Sequence, residues 1–148
     1  MDTRRIEGAA LAPLLPQQGT MRLIDAVETY DERRIVCTTT RHRDAANPLC
    51  EDGRLSPLAG IELAAQAMAA HGTLVQGLER PAAGWLARVR DCVFQCERMD
   101  DLDTPLVIEA ERLGGSPLAL NYAFTLRAGA RVVMTGVALV ALATEAAP

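Results

Sequence analysis

One segment of this chain, Pro57 to His71, constrains the fold more than any other. It is rich in Ala, carries no run typical of a strand and, drawn as a helix, is apolar around nearly its whole circumference. Ser56 suits the N-cap, Pro57 the first helical position, and Gly72 the stop. A helix that is apolar on most sides must be buried on most sides. The sequence therefore predicts one central helix enclosed by other structure.

The flanking segments carry mainly strand patterns. After the helix, Leu106 to Leu113 places apolar and acidic side chains on opposite faces, and Leu118 to Leu126 alternates in the same way. We predict a short helix at 4–15, strands at 21–30, 34–42, 84–96, 106–113, 118–126 and 131–142, a loop at 43–55, and turns at 114–116 and 128–130. This order predicts an α+β fold in a single domain spanning residues 1–148, in which a curved antiparallel β-sheet wraps one long central helix.

Composition excludes several classes of function. The net charge of −4 and the pI of about 5.2 argue against a nucleic-acid-binding surface. No run reaches the ~18 apolar residues of a membrane span, and the charged start from Met1 to Gly8 does not resemble a secretory signal. The four cysteines lack metal-ligand spacing. We expect a cytoplasmic protein with no metal site, no membrane segment and reduced thiols.

Several motifs resemble those of FabZ-type 3-hydroxyacyl-ACP dehydratases. The start, 14–16 followed by 21–27, resembles their Leu-Pro-His…Leu-Leu-Val-Asp-Arg-Val motif, and Asn47-Pro48-Leu49 resembles their Glu/Asn-Pro-Phe. The segment from Asp52 to Gln66 is similar, almost position by position, to the dehydratase-like subfamily associated with aryl-polyene pathways. The resemblance covers nearly the whole chain and implies a hot-dog fold.

The chain also departs from that family at its histidines. The family's catalytic His lies in a His-Phe-Pro-Gly loop before the Glu, whereas residues 48–58 of this chain contain no His. The His that follows Leu-Pro in the family is replaced by Gln17. The Glu of the usual His/Glu pair is therefore present, and both motif histidines are missing.

The resemblance makes Glu62 and Gln66 the candidate catalytic residues. Removing water from a 3-hydroxyacyl thioester needs a base for the α-proton and an acid for the departing hydroxyl. Glu62 is the only acidic residue of the Ala-rich helix, where an apolar environment favours the protonated carboxyl that can donate. Gln66 follows at i+4 and can orient it. A structural Glu62–Gln66 hydrogen bond is the alternative.

Four further residues are predicted to bind the substrate. The amides of Gly60 and Ile61, at the helix start, are candidates to polarise the thioester carbonyl. Gly60 is equally compatible with a packing role against the sheet. Gln17 and Asp52 are possible substitutes for the missing His, with Asp44 a further one.

The two histidines and the local arginines have weaker assignments. His71 lies nine residues beyond Glu62, about 180° around the helix, so we expect a structural role. His42 is expected to be solvated, with a catalytic role as the alternative. Four arginines are expected either to form a basic patch for phosphopantetheine or a carrier protein, or to be solvated: Arg41, Arg43, Arg88 and Arg90.

The resemblance implies a 3-hydroxyacyl thioester substrate on an acyl carrier protein or CoA. It implies no cofactor other than the acyl-phosphopantetheine of the substrate, and a dimer through the sheet, either homo- or heterodimeric. Two alternatives remain open: a degenerate hot-dog subunit that partners an active dehydratase, and an acyl thioesterase.

Overall fold

A long α-helix lies against an antiparallel sheet in this computed structural model, which describes residues 4–143. The α-helix and strands of the described residues are α1 (Ala59–Gln76), β1 (Ile6–Glu7), β2 (Ala26–Tyr30), β3 (Arg34–Thr39), β4 (Gly84–Phe94), β5 (Leu106–Ser116), β6 (Ala119–Ala128) and β7 (Arg131–Leu142). The sheet order is β1-β2-β3-β5-β6-β7-β4, and every neighbouring pair is antiparallel. The predicted α+β class is confirmed.

The hydrophobic core lies between α1 and the inner face of the sheet. Along β5, Leu106, Ile108 and Ala110 are fully buried, while Glu109 and Glu111 point to the other face, as the alternation predicted. Leu63 and Ala67 of α1 belong to the same cluster. Within residues 4–143, no helix combines the length and apolar character needed to cross a membrane.

The central helix continues beyond its predicted end. Gly72 does not stop it; α1 runs to Gln76, and Gly77, with a φ of 62°, is the left-handed C-cap. The prediction failed because the residues after Gly72 still pack: Leu74 contacts the core, and Thr73 is buried and donates to Leu14 O at 3.2 Å. The predicted start was also wrong: α1 begins at Ala59 with Leu58 at the N-cap, and the Ser56 hydroxyl accepts a hydrogen bond from Leu58 N before the helix.

Other local predictions were wrong. The strand predicted at 21–30 begins only at Ala26, and the strand predicted at 34–42 ends at Thr39. The predicted helix at 4–15 is replaced by β1 and two single 3₁₀ turns, Gly8–Ala10 and Ala12–Leu14. The predicted turn at 114–116 lies inside β5, and the chain reverses instead at residues 117–118.

Strand β4 differs from its neighbours in the sheet. It pairs with β7 on one side, and no other described strand pairs with its second edge. None of its eleven residues is fully buried, and Trp85 and Val93 are 57% and 49% exposed. Such an open and partly apolar edge is a site where another chain can add.

Candidate active site

The carboxyl group of Glu62 is held by two amide side chains. Gln17 Nε2 and Gln66 Nε2 each donate to Glu62 Oε1 at 3.1 Å. Both bonds go to one oxygen, so Oε2 is left for another partner. The predicted contact between Glu62 and Gln66 is present, and Gln17 joins it from 45 residues away in sequence.

Gln66 is fixed by the backbone of the N-terminal segment. Its side chain is fully buried; Oε1 accepts from Leu23 N at 2.9 Å, and Nε2 donates to Met21 O at 2.8 Å. Gln66 thus satisfies two backbone groups and positions the Glu62 carboxyl. Its role is both structural and orienting.

Two cavities meet at Glu62. The first, which we call the loop cleft, has a volume of about 750 Å³ and lies between residues 49–58, the first turn of α1, and Glu97 and Arg98. The second, the helix groove, has a volume of about 440 Å³ and follows α1 from Glu62 to Gln76 beneath the ends of β4, β6 and β7. Glu62 lines both, so a molecule that passes from one cavity to the other passes its carboxyl group.

Three predicted substrate-binding residues line these cavities. Ile61 and Asp52 line the loop cleft, and Gln17 lines the helix groove. Asp52 and Gly53 are the central residues of a tight turn; their φ angles are 51° and 73°, and Glu51 and Arg54 exchange backbone hydrogen bonds across it. Gln17 Oε1 is buried and accepts no hydrogen bond from the described residues.

Gly60 lies away from both cavities. A Cβ atom there would lie 2.6 Å from Met134 Sδ and 3.0 Å from Leu126 Cδ2, so the glycine lets α1 approach β6 and β7 closely. The amides of Gly60 and Ile61 donate to Pro57 O and Leu58 O. The structure supports the packing role of Gly60. Polarisation of a thioester carbonyl by these two amides stays a prediction. Both N–H groups already donate to backbone oxygens of the chain.

Neither histidine reaches Glu62. His71 is fully buried; Nδ1 lies 2.7 Å from Tyr122 Oη and Nε2 lies 2.8 Å from Asp31 O, which gives it the structural role that was predicted. His42 is also buried rather than solvated, with Nε2 3.0 Å from Leu102 O. Burial lowers the pKa of both imidazoles, although the carbonyls beside them oppose the shift. Both rings therefore favour the neutral form.

The four arginines do not form one patch. Arg41 and Arg43 follow β3, whereas Arg88 and Arg90 lie on β4, and three strands separate β3 from β4 in the sheet. Asp44, a further possible substitute for the missing His, pairs with Arg41 and lines neither cavity. The single basic patch considered from the sequence is therefore wrong.

The helix groove was not found from the sequence. Its walls include the Trp85 side chain, the buried Tyr122 ring and three residues of α1: Ala65, Ala69 and Gly72. Gly72 is the signal that could have identified the groove. A glycine that lies inside a long helix and does not cap that helix requires another explanation.

The loop cleft has an anchored wall. Leu55 N donates to Asp100 Oδ1 at 2.9 Å, and Met99 N donates to Leu55 O at 2.8 Å. The guanidinium of Arg98 and the Leu55 amide hold the pKa of Asp100 well below its usual range. The ionised Asp100 therefore ties the 51–55 turn to the connection between β4 and β5.

Comparison with known proteins assigns the chain to a family and a fold. The family model ApeP-like, described as ApeP dehydratase, matches residues 9–147. No curated protein matches the chain significantly.

Solved structures show the same fold. The dehydratase heterocomplex ApeI:P from Xenorhabdus doucetiae has a TM-score of 0.80 at 21% identity over 91% of each chain. A hypothetical thioesterase with coenzyme A from Streptococcus pneumoniae has a TM-score of 0.60 at 13% identity over 82% of this chain and 87% of that one. A putative thioesterase from a Silicibacter species has a TM-score of 0.67 at 13% identity over 94% and 93%. These neighbours confirm the hot-dog fold.

Proposed function

The chain belongs to the ApeP-like dehydratase family, and from this premise we propose that it removes water from 3-hydroxyacyl thioesters carried by an acyl carrier protein, with Glu62 as the proton donor. The observation that carries the proposal is the place of Glu62. Its carboxyl group lies where the loop cleft meets the helix groove and is fixed there by Gln17 and Gln66.

The two cavities suit the two ends of such a substrate. The loop cleft opens beside polar side chains, including Glu51, Asp52 and Arg54, which can bond the amides of a phosphopantetheine arm. The helix groove is lined largely by apolar side chains, including Met68 and Leu86, which suit an acyl chain. A thioester that spans both places its reacting carbons beside Glu62.

The chemistry at Glu62 is that of a general acid. A base removes the proton from C2, the C3–O bond breaks, and the Glu62 carboxyl donates its proton to the leaving hydroxyl, so that water and the 2-enoyl thioester form. Gln66 orients the carboxyl, and the unpartnered Gln17 Oε1 can accept the hydrogen of the C3 hydroxyl. The protonated base then returns its proton to Glu62, directly or through water, which restores both groups.

The base is proposed to come from a second hot-dog subunit. Both histidines of the chain are bound to carbonyl groups outside the two cavities. The open edge of β4 is available for pairing, and Trp85 of this strand also lines the helix groove. A partner at this edge would lie next to the groove. The neighbour ApeI:P is itself a heterocomplex, which supports a heterodimer over a second copy.

The proposal requires no metal ion or organic cofactor beyond the acyl-phosphopantetheine of the substrate, and it places the chain in the cytoplasm, where acyl carrier proteins act. We propose that a carrier protein, in place of CoA, bears the acyl group, because the chain belongs to a dehydratase family and resembles the 3-hydroxyacyl-ACP dehydratases.

The test compares the native chain with Glu62→Gln, each co-purified from the native host with its partner subunit. Both preparations are incubated with a 3-hydroxyacyl carrier-protein thioester, and mass spectrometry follows the loss of one water. We expect dehydration by the native complex and a loss of about 10²–10⁴-fold in Glu62→Gln. Glu111→Gln is the matched control, since it makes the same substitution at an exposed glutamate of β5 that lines neither cavity, and it should keep the native rate.

Two outcomes would contradict the proposal. An undiminished rate in Glu62→Gln would exclude this carboxyl as the acid. Release of the free hydroxy acid, in place of the enoyl product, would identify a thioesterase.

A further inference from the structure

Gly72 has no explanation in the folding of its own helix. It lies four residues before the end of α1, and the cap is Gly77. Glycine inside a helix costs about 1 kcal/mol relative to alanine. Such a residue is usually retained where the backbone packs closely or where φ is positive, and the φ of Gly72 is not positive.

The surroundings of Gly72 contain no close neighbour. A Cβ atom built at Gly60 would collide with Met134 Sδ at 2.6 Å, whereas a Cβ atom at Gly72 would meet no atom within 4 Å. Gly72 does line the helix groove. The space that a side chain at this position would take is therefore space in the groove.

Gly72 also lies at a defined distance from the proposed chemistry. It follows Glu62 by ten residues, which is about 15 Å along the helix axis and about 80° around it. Ala65 and Ala69 lie on the same helical face, between these two residues, and line the groove as well. An acyl chain with its reacting carbons at Glu62 would pass Ala65 and Ala69 before it reached Gly72.

We infer that Gly72 is a specificity-determining residue that keeps the distal half of the helix groove open to long acyl chains. The inference rests on the proposed function for its substrate class. The occupant is an aliphatic or polyene chain, since the groove walls beyond Glu62 are largely apolar and include the Tyr122 and Trp85 rings. Short acyl chains end before Gly72, so a side chain at this position does not affect their binding.

The test uses Gly72→Leu, Gly72→Ala and the control Val75→Leu, which introduces the same side chain at a residue of α1 that does not line the groove. KM and kcat are measured for 3-hydroxybutyryl and 3-hydroxyhexadecanoyl carrier-protein thioesters with the co-purified complex. Gly72→Leu should raise KM for the hexadecanoyl substrate about tenfold or more and leave KM for the butyryl substrate unchanged. Gly72→Ala should lie between Gly72→Leu and the native protein. Val75→Leu should match the native protein.

A binding measurement separates this inference from the proposed function. Calorimetry with the full chain uses saturated butyryl- and hexadecanoyl-pantetheine and needs no turnover. If no thioester is dehydrated but the native chain prefers hexadecanoyl-pantetheine and Gly72→Leu loses that preference, the groove assignment holds and the dehydratase proposal fails. If dehydration proceeds and Gly72→Leu treats both chain lengths as the native protein does, the inference is overturned. Melting temperatures check that the variants fold.

Discussion

At the residue scale, Gln66 connects the proposed site to the fold. Its buried side-chain amide forms hydrogen bonds with Met21 O, Leu23 N and Glu62 Oε1. The spacing of four residues predicted the contact with Glu62. The two backbone contacts could not be predicted, because they join residues more than 40 positions apart, and nothing local to Gln66 indicates which segment crosses it.

Replacing Gln66 should therefore affect stability as well as activity. Gln66→Leu leaves the buried Leu23 N without a partner, which costs about 1–3 kcal/mol, and also removes the hydrogen bond to the partly buried Met21 O. Urea denaturation should show this loss as a lower unfolding midpoint. Gln76→Leu, an exposed position of the same helix, is the control and should stay within about 0.5 kcal/mol of the native protein. Equal midpoints for the two variants would show that the Gln66 hydrogen bonds contribute nothing.

At the scale of the helix, the sequence indicated where α1 lies but not where it ends. Gly72 and Gly77 offer the same local signal, and only the packing of the last turn distinguishes them. The same holds in β5, where Gly114 and Gly115 continue the strand and the chain reverses after Ser116. Glycine and the residues beside it permit a turn, but tertiary contacts decide whether the turn forms.

The two glycines of α1 should respond to alanine in opposite directions. Gly60→Ala forces Met134 or the helix to move and should cost about 1–3 kcal/mol. Gly72→Ala adds a methyl group in open space and should stabilise the protein by about 0.4–1 kcal/mol. Thermal unfolding of the two variants measures both changes in stability, and the substitution is glycine to alanine in each. Stabilisation by Gly60→Ala would mean that the contact between α1 and β7 is looser than the distance to Met134 Sδ indicates.

At the scale of the whole molecule, the sequence indicated where most strands lie but not their order in the sheet. β4 comes directly after α1 in sequence but pairs with β7. β3 pairs with β5, although α1 and β4 lie between these two strands in sequence. These pairings join distant segments and are selected by burial of the complete core, which no local pattern reports. The helix groove depends on them, because it forms only where the ends of β4, β6 and β7 cover α1.

Stability should fall as the pH falls from 6.5 to 5.5. Burial lowers the pKa of His42 and His71 in the folded chain below the ordinary value of 6.5, so the unfolded chain binds protons first. Each histidine can contribute up to about 1.4 kcal/mol per pH unit. Unfolding free energies from urea titrations at both pH values should show the decrease, and His42→Gln should show a smaller one. A pH-independent stability in this range would contradict neutral buried histidines.

The open edge of β4 gives a prediction about assembly. Val93 is 49% exposed on this strand, and Leu113 is 53% exposed on β5, so the two offer similar apolar surface at different places. If a second subunit adds at β4, a charge at Val93 enters the interface without a partner, whereas a charge at Leu113 stays in water. Native mass spectrometry of the co-purified complex should show dissociation for Val93→Lys and an intact complex for Leu113→Lys. The opposite pattern would place the partner on the β5 side of the sheet and remove the reason to expect its base beside Glu62.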